Sequence, residues 1–240
     1  MKIALIGYGK MGKAIEEVAL QRRHQVVLTI DQPNLHDFTK ENLLKADVAI
    51  EFTGPHSAFD NVNNCLAFGV PVVCGSTGWT ERLEEMKNNC KEKNGSFIYS
   101  SNFSVGVNIF FEVNKKLASL MAAHKEYEVI IEEIHHTQKK DAPSGTAITL
   151  AEQILEKIKR KKQWINELSD NPEDLEIMSQ RIDTTPGTHS IKYSSAIDNI
   201  EIIHTAHNRK GFAFGALLAA EFLKDKKGFF NIDDLMVDII

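Results

Sequence analysis

The sequence predicts an α/β protein in two parts: a parallel sheet covered by helices, and a smaller α+β region. Three observations carry this. The first hundred residues alternate short apolar runs with helix-like segments. That rhythm stops at residues 104–106, where a long helical pattern begins. Further on, two stretches alternate apolar and polar residues, as antiparallel strands with one wetted face do. The 240 residues are 42% hydrophobic and 25% charged, enough core material for one large domain or two small ones.

The elements follow in order. Residues 3–6, 26–30, 48–52, 70–74 and 97–100 read as buried strands. Residues 11–22, 56–68 and 81–93 read as the helices between them. Continuous apolar strands separated by helices mean a parallel sheet buried on both faces. Residues 107–125 form one long helix with an apolar stripe of Ile109, Phe110, Val113, Leu117, Leu120 and Met121. A strand over 126–136 is centred on Val129, Ile130 and Ile131. Ser144, Gly145 and Thr146 open the next helix, which carries Ile148, Leu150, Ile154, Leu155 and Ile158. Its basic ending, residues 159–162, suits the negative end of a helix dipole. Residues 166–176 read as a surface loop or short helix. Residues 190–195 and 199–207 are the alternating strands, and 211–224 the last main helix. The expected domains are 1–104 with 208–240, and 105–207.

Bulk properties exclude several functions. A net charge of −5 argues against general nucleic-acid binding, which needs a basic surface, yet allows a local basic pocket for an acidic small molecule. Cys65, Cys74 and Cys90 are odd in number and lack metal-site spacing, so they read as free thiols in a reducing cytoplasm. The opening apolar run is too short for a signal peptide, and no stretch reaches the length of a membrane span.

"ALIGYGKMGKAI" places Gly7, Gly9 and Gly12 in a G-x-G-x-x-G pattern at the first strand–helix turn. Gly7 permits the tight turn, Gly9 lets a pyrophosphate approach the backbone, and Gly12 allows close helix–strand packing. The helix start then offers N–H groups to phosphates. Asp31 stands about 20 residues further on, where an acid can hold an adenosine ribose. A carboxylate there repels a 2′-phosphate, so NADH is favoured over NADPH. "CGSTGWT" and "YSSNFSVG" fall at later strand ends, where ligands of such sheets bind. Gly75, Ser76 and Thr77 suit a nicotinamide ribose; both stretches also read as plain polar turns.

The polar run "IEEIHHTQKKDAPSGTA" demands its own account. His135 and His136, at a strand end, point opposite ways and make a poor shared metal site, so no metal is expected. Pro143 stiffens the approach to a helix start. Ser144, Gly145 and Thr146 offer hydroxyl and N–H groups to an anion there, and Lys139 adds a positive charge. An imidazole, an ammonium and a helix N-terminus suit a carboxylate-bearing substrate that takes up a proton.

These residues resemble the 4-hydroxy-tetrahydrodipicolinate (dihydrodipicolinate) reductase family of the diaminopimelate route to lysine. Its signature E-x-H-H-x-x-K-x-D-A-P-S-G-T-A stands complete from Glu133 to Ala147. The resemblance extends to "EFTGPHSA", "SSNFSVGVN", "PGTHSIKY" and "HTAHNRKGFAFGALLAA". It implies a Rossmann-type nucleotide-binding domain and a substrate-binding domain with a mixed sheet that builds a homotetramer. It implies hydride transfer from NADH or NADPH to the ring of a cyclic dicarboxylate, with loss of water. By position, His135 is the acid/base residue and Lys139 the proton donor, while His136, Lys139, Ser144, Gly145 and Thr146 hold carboxylates. Gly7, Tyr8, Gly9, Lys10, Met11, Gly12, Asp31, Gly75, Ser76, Thr77, Ser100, Ser101, Asn102 and Phe103 line the cofactor site. Residues 164–183 depart from longer members. The rival readings are another two-domain dehydrogenase of amino-acid metabolism and a non-catalytic dinucleotide sensor.

Overall fold

The computed structural model describes residues 1–183 and 185–239. Ile240, the end of the expected C-terminal segment, lies outside them. The chain divides into two compact units, Met1–Asn108 with Arg209–Ile240, and Ile109–Asn208.

The first unit holds β1 (Lys2–Ile6), α1 (Lys10–Gln21), β2 (Gln25–Ile30), α2 (Lys40–Leu43), β3 (Val48–Glu51), α3 (Ala58–Phe68), β4 (Val72–Cys74), α4 (Leu83–Glu92) and β5 (Ser96–Tyr99). Its sheet is parallel throughout, in the order β11-β5-β4-β3-β1-β2, with β11 formed by Gly228–Phe230 near the C-terminus. Alternate residues of β1 serve opposite cores. Ile3 and Leu5 pack with Ile15 and Val18 of α1, while Ala4 and Ile6 pack with Val62 and Leu66 of α3. Burial on both faces is why the strand has no polar residue after Lys2. The chain leaves β1 for β2 on one side and returns to β3 on the other. The carboxyl end of β1 is therefore the switch point where such sheets bind ligands.

The second unit takes up the long helix α5 (Val105–Met121), which starts within the first. It continues with β6 (Glu128–His135), α6 (Gly145–Lys157), β7 (Gln163–Ile165), β8 (Asp174–Arg181), β9 (Gly187–Ser194) and β10 (Asn199–Ala206). Its sheet is mixed, in the order β10-β9-β6-β8-β7: β6 runs parallel to β8 and antiparallel to β9. Ile131, Ile177 and Ile191 lie abreast across β6, β8 and β9, and Leu150 and Ile154 of α6 share their core. The chain then re-enters the first unit as α7 (Lys210–Leu223), β11 and α8 (Ile232–Ile239). No helix among the described residues is long and apolar enough to cross a membrane.

Four expectations change. The α5 stripe splits: Phe110 and Met121 are buried, whereas Ile109, Val113 and Leu120 are exposed. Residues 110, 114, 118 and 121 form the inner face, and the small Ala118 and polar Asn114 hid it from an apolar count. Asn114 is buried because its amide donates to the Leu150 carbonyl at 3.1 Å. The run 159–162 lies beyond α6 instead of ending it. Lys161, 5% exposed, donates to the Asp174 carbonyl at 2.9 Å and pairs with Glu128 at 2.8 Å. Residues 166–176 hide the start of β8, whose Leu175 and Ile177 are fully buried. Finally, β11 and α8 had no counterpart; three residues beginning at a glycine leave no periodic trace.

Candidate active site

The glycine loop is locked by contacts that only glycine permits. Gly7 has φ +93°, and a Cβ there would lie 2.3 Å from the Phe52 carbonyl oxygen. A Cβ on Gly12 would lie 2.2 Å from the Gly7 oxygen. Gly9 differs, since a Cβ on it meets nothing within 4 Å. Gly9 caps α1 with no side-chain hydrogen bond, and the first turn carries no acid. Backbone N–H groups at this helix start are thus left for an anion. Met11 is half-buried and Lys10 exposed, while the Tyr8 hydroxyl donates to Glu16. Asp31 is exposed and caps the 3-10 turn Gln32–Asp37, accepting from the Gln32 N–H at 2.9 Å.

The neighbouring strand ends pack on this loop. The Phe52 ring occupies the space beside Gly75, where a Cβ would come within 2.1 Å. Ser76 is buried, and its Oγ has no hydrogen-bond partner among the described residues. Thr77 and Ser101 are exposed. The Ser100 hydroxyl accepts from the Asn102 N–H at 3.1 Å, which shapes that turn. Phe103 is a buried core residue whose carbonyl abuts Gly215. An uncapped helix start, an open Gly9 and an orphaned Ser76 hydroxyl fit a dinucleotide.

In the second unit, β6 points residues 129, 131, 133 and 135 inward. The first two are apolar and the last two are Glu133 and His135. Register extends this change across the sheet. One row beyond Ile177, Ile131 and Ile191 lie Ser179, Glu133 and His189, in contiguous pairs. Arg181 pairs with His135. Glu133 is fully buried. Its Oε1 accepts from the Ser179 hydroxyl at 2.8 Å and the Arg181 guanidinium at 3.2 Å, and the Ser144 N–H reaches both oxygens at 3.1 Å. Its Oε2 faces His135 Nδ1 at 3.5 Å and His189 Nε2 at 3.6 Å. Burial alone would raise the Glu133 pKa. Hydrogen bonds from His189, Ser144 and Ser179 outweigh it and hold the carboxyl well below the usual range.

His135 is 7% exposed. Burial and repulsion from His189 outweigh attraction to Glu133 and lower its pKa to about 4, with Lys139 and Arg181 adding to the fall. At neutral pH it is a neutral imidazole. His136 is half-buried, and its Nδ1 has no partner among the described residues. The Lys139 ammonium meets both oxygens of Asp141 at 2.8 Å. Ser144 is buried and already engaged: its hydroxyl accepts from the Ala147 N–H at 3.2 Å and lies 3.1 Å from His189 Nε2. The open anion donors are the N–H groups of Gly145, which is exposed, and Thr146, which is half-buried.

Glu133, His135 and His189 bring metal-type ligand atoms within 4.8 Å of one another. The Arg181 guanidinium already neutralises Glu133, which opposes a second cation there. The sequence reading gave no role to Glu133, Asp141, Arg181 or His189. Strand periodicity could have found Glu133, two residues before His135. Arg181 and His189 become neighbours only through strand pairing.

A glycine-built loop at the switch point of a parallel sheet, with a second mixed-sheet unit carrying ionisable groups, defines a pyridine-nucleotide-dependent oxidoreductase. Comparison with known proteins narrows the class. Residues 1–103 match the family model for the dihydrodipicolinate reductase N-terminus, and residues 106–236 match that for its C-terminus. The chain belongs to the dihydrodipicolinate reductase family. It is 49% identical over its full length to a 4-hydroxy-tetrahydrodipicolinate reductase of Christiangramia forsetii, covering 99% of that protein. It is 33% identical to one from Thermosipho africanus, with 98% of each chain covered. Among solved structures it is similar to a dipicolinate-bound dihydrodipicolinate reductase from Paenisporosarcina sp. TG-14, with TM-score 0.76, 26% identity, and 96% and 97% of the two chains covered.

Proposed function

We propose that this protein reduces 4-hydroxy-tetrahydrodipicolinate to tetrahydrodipicolinate with loss of water, using NADH in preference to NADPH. The observation that carries this is the Glu133–Thr146 segment: a buried acid fastens the strand end bearing His135 to the helix start that offers Gly145 and Thr146 N–H groups. The first unit is the dinucleotide-binding domain and the second binds substrate and builds a homotetramer. The protein works in the cytoplasm.

The net reaction adds one hydride and one proton and releases one water. The bound dinucleotide supplies the hydride. Gly145, Thr146, His136 and Lys139 hold the two carboxylates. A substrate carboxylate competes with Asp141 for the Lys139 ammonium, and Lys139 then donates the proton. His135, neutral near pH 7, positions the ring by hydrogen bonding, accepts the ring C–H proton lost in the dehydration and returns it to the departing hydroxyl, so water leaves with no net proton change. Orientation and electrostatics contribute as much as the transfer itself.

The test follows nicotinamide absorbance when purified protein receives the product of the coupled upstream synthase, with NADH and NADPH in parallel. Decay with both, faster with NADH, is expected. No decay with either overturns the reductase reading in favour of a dinucleotide sensor.

A further inference from the structure

We propose that Glu133 is a positioning residue that selects which nitrogen of His135 does the chemistry. Its Oε2 faces Nδ1 and keeps the ring proton there, so Nε2 is the reactive nitrogen. The same carboxylate pins the helix start at Ser144, which fixes the imidazole against the carboxylate-binding N–H groups. This rests on the reading of His135 as the acid/base residue.

The two oxygens of Glu133 have separate neighbours. Oε1 is occupied by Ser179 and Arg181, and the Ser144 N–H bridges both oxygens. Oε2 is what remains for the imidazoles, with His135 Nδ1 at 3.5 Å. That Nδ1 is buried and makes no hydrogen bond among the described residues; the acceptor it faces is Glu133 Oε2, at 3.5 Å. A neutral imidazole carries one proton, and a buried nitrogen facing only a carboxylate is where it is stabilised. Nε2 lies on the other side of the ring, against Gly187. A Cβ on Gly187 would sit 3.0 Å from Nε2, so the glycine keeps that nitrogen approachable. His189 completes the set. Its Nε2 stands 3.1 Å from the Ser144 hydroxyl and 3.6 Å from Glu133, tying the row across β9 to the same helix start.

The decisive measurement is nitrogen NMR of the protein labelled in its histidine rings at pH 7.5, with His135 assigned by the signal lost in His135→Ala. The expected spectrum shows the proton on Nδ1 and a bare Nε2. In Glu133→Gln the proton moves to Nε2 or divides between the nitrogens. Turnover should fall about 10- to 100-fold, as when a partner that orients a functional histidine is lost, with nucleotide KM unchanged. Glu133→Asp, which keeps the charge, should restore part of both. Gly187→Ala should lower turnover while leaving the Nδ1 proton in place. Wild-type protein with its proton on Nε2 overturns the proposal, whether or not any variant folds. Turnover that survives in His135→Ala overturns the acid/base reading instead, and with it the catalytic weight of the tautomer.

Discussion

In the glycine loop, the groups offered to a ligand lie between Gly7 and Gly12 and are almost all backbone. Around Glu133 they are side chains drawn from Glu133 and His135 on β6, Ser144 before α6, Arg181 on β8 and His189 on β9. One site is a local shape made by the absence of side chains. The other is a charge arrangement made by strand register. Substitution should therefore act differently in each: steric clash at the loop, lost chemistry at the row.

The largest effect belongs to the row. His135→Ala should lower kcat about 10²- to 10⁴-fold, the usual weight of a positioned acid or base, with dicarboxylate KM within a few-fold. Lys139→Ala should lower kcat and raise that KM together. Steady-state kinetics with both substrates separates these outcomes. Unchanged turnover in His135→Ala removes it from the chemistry, and an unchanged KM in Lys139→Ala removes its carboxylate role.

The row should also mark the protein's acid sensitivity. The folded pKa of His135 is lowered to about 4, from about 6.5 in an unfolded chain. Between these values the unfolded state binds more protons, so stability falls as pH drops through the window. The full difference is about 3 kcal/mol, reached only below the folded value. Denaturant unfolding of wild type and His135→Asn from pH 7 to pH 4 checks it. The two curves should converge as pH falls, and parallel curves would contradict a buried neutral His135. Glu133 acts separately: its stabilisation holds above the unfolded carboxylate pKa and is lost in stronger acid.

The loop should break into two classes. Gly12→Ala forces a Cβ to within 2.2 Å of a backbone oxygen, so it should cost about 1–3 kcal/mol of stability and weaken nucleotide binding. Gly9→Ala meets only open space, so it should leave the melting temperature alone and weaken nucleotide binding by about tenfold. Calorimetry and nucleotide titration on both variants are sufficient. Equal melting losses would show that all the glycines serve packing alone.

This contrast explains what was legible. The central strands of the parallel sheet could be read because β1, β3 and β4 are short, mainly apolar runs buried on both faces, and the glycine loop because its spacing is its geometry. In the mixed sheet, β8 shows Leu175, Ile177 and Met178 as its apolar markers, with no regular alternation, before Ser179 and Arg181, the residues that hydrogen-bond Glu133. The features that make β8 chemically useful erase its strand signal. The segment from Glu133 to Thr146 was visible as unusual, but its organising acid was not, because a carboxylate's partners are set by pairing across strands.

Asp31 tests the smallest term and belongs to neither pattern cleanly. It follows β2 where a ribose-binding acid is expected, and it also caps the turn at Gln32–Asp37 through the Gln32 and Asn34 bonds. Asp31→Asn keeps an acceptor for the cap and removes the charge. An exposed charge contributes up to about 1 kcal/mol, so the NADPH-to-NADH ratio of kcat/KM should rise about two- to five-fold, with little change in stability. Parallel assays with the two nucleotides measure it. If the ratio stays fixed, Asp31 is a turn cap alone and takes no part in selection at the 2′-position.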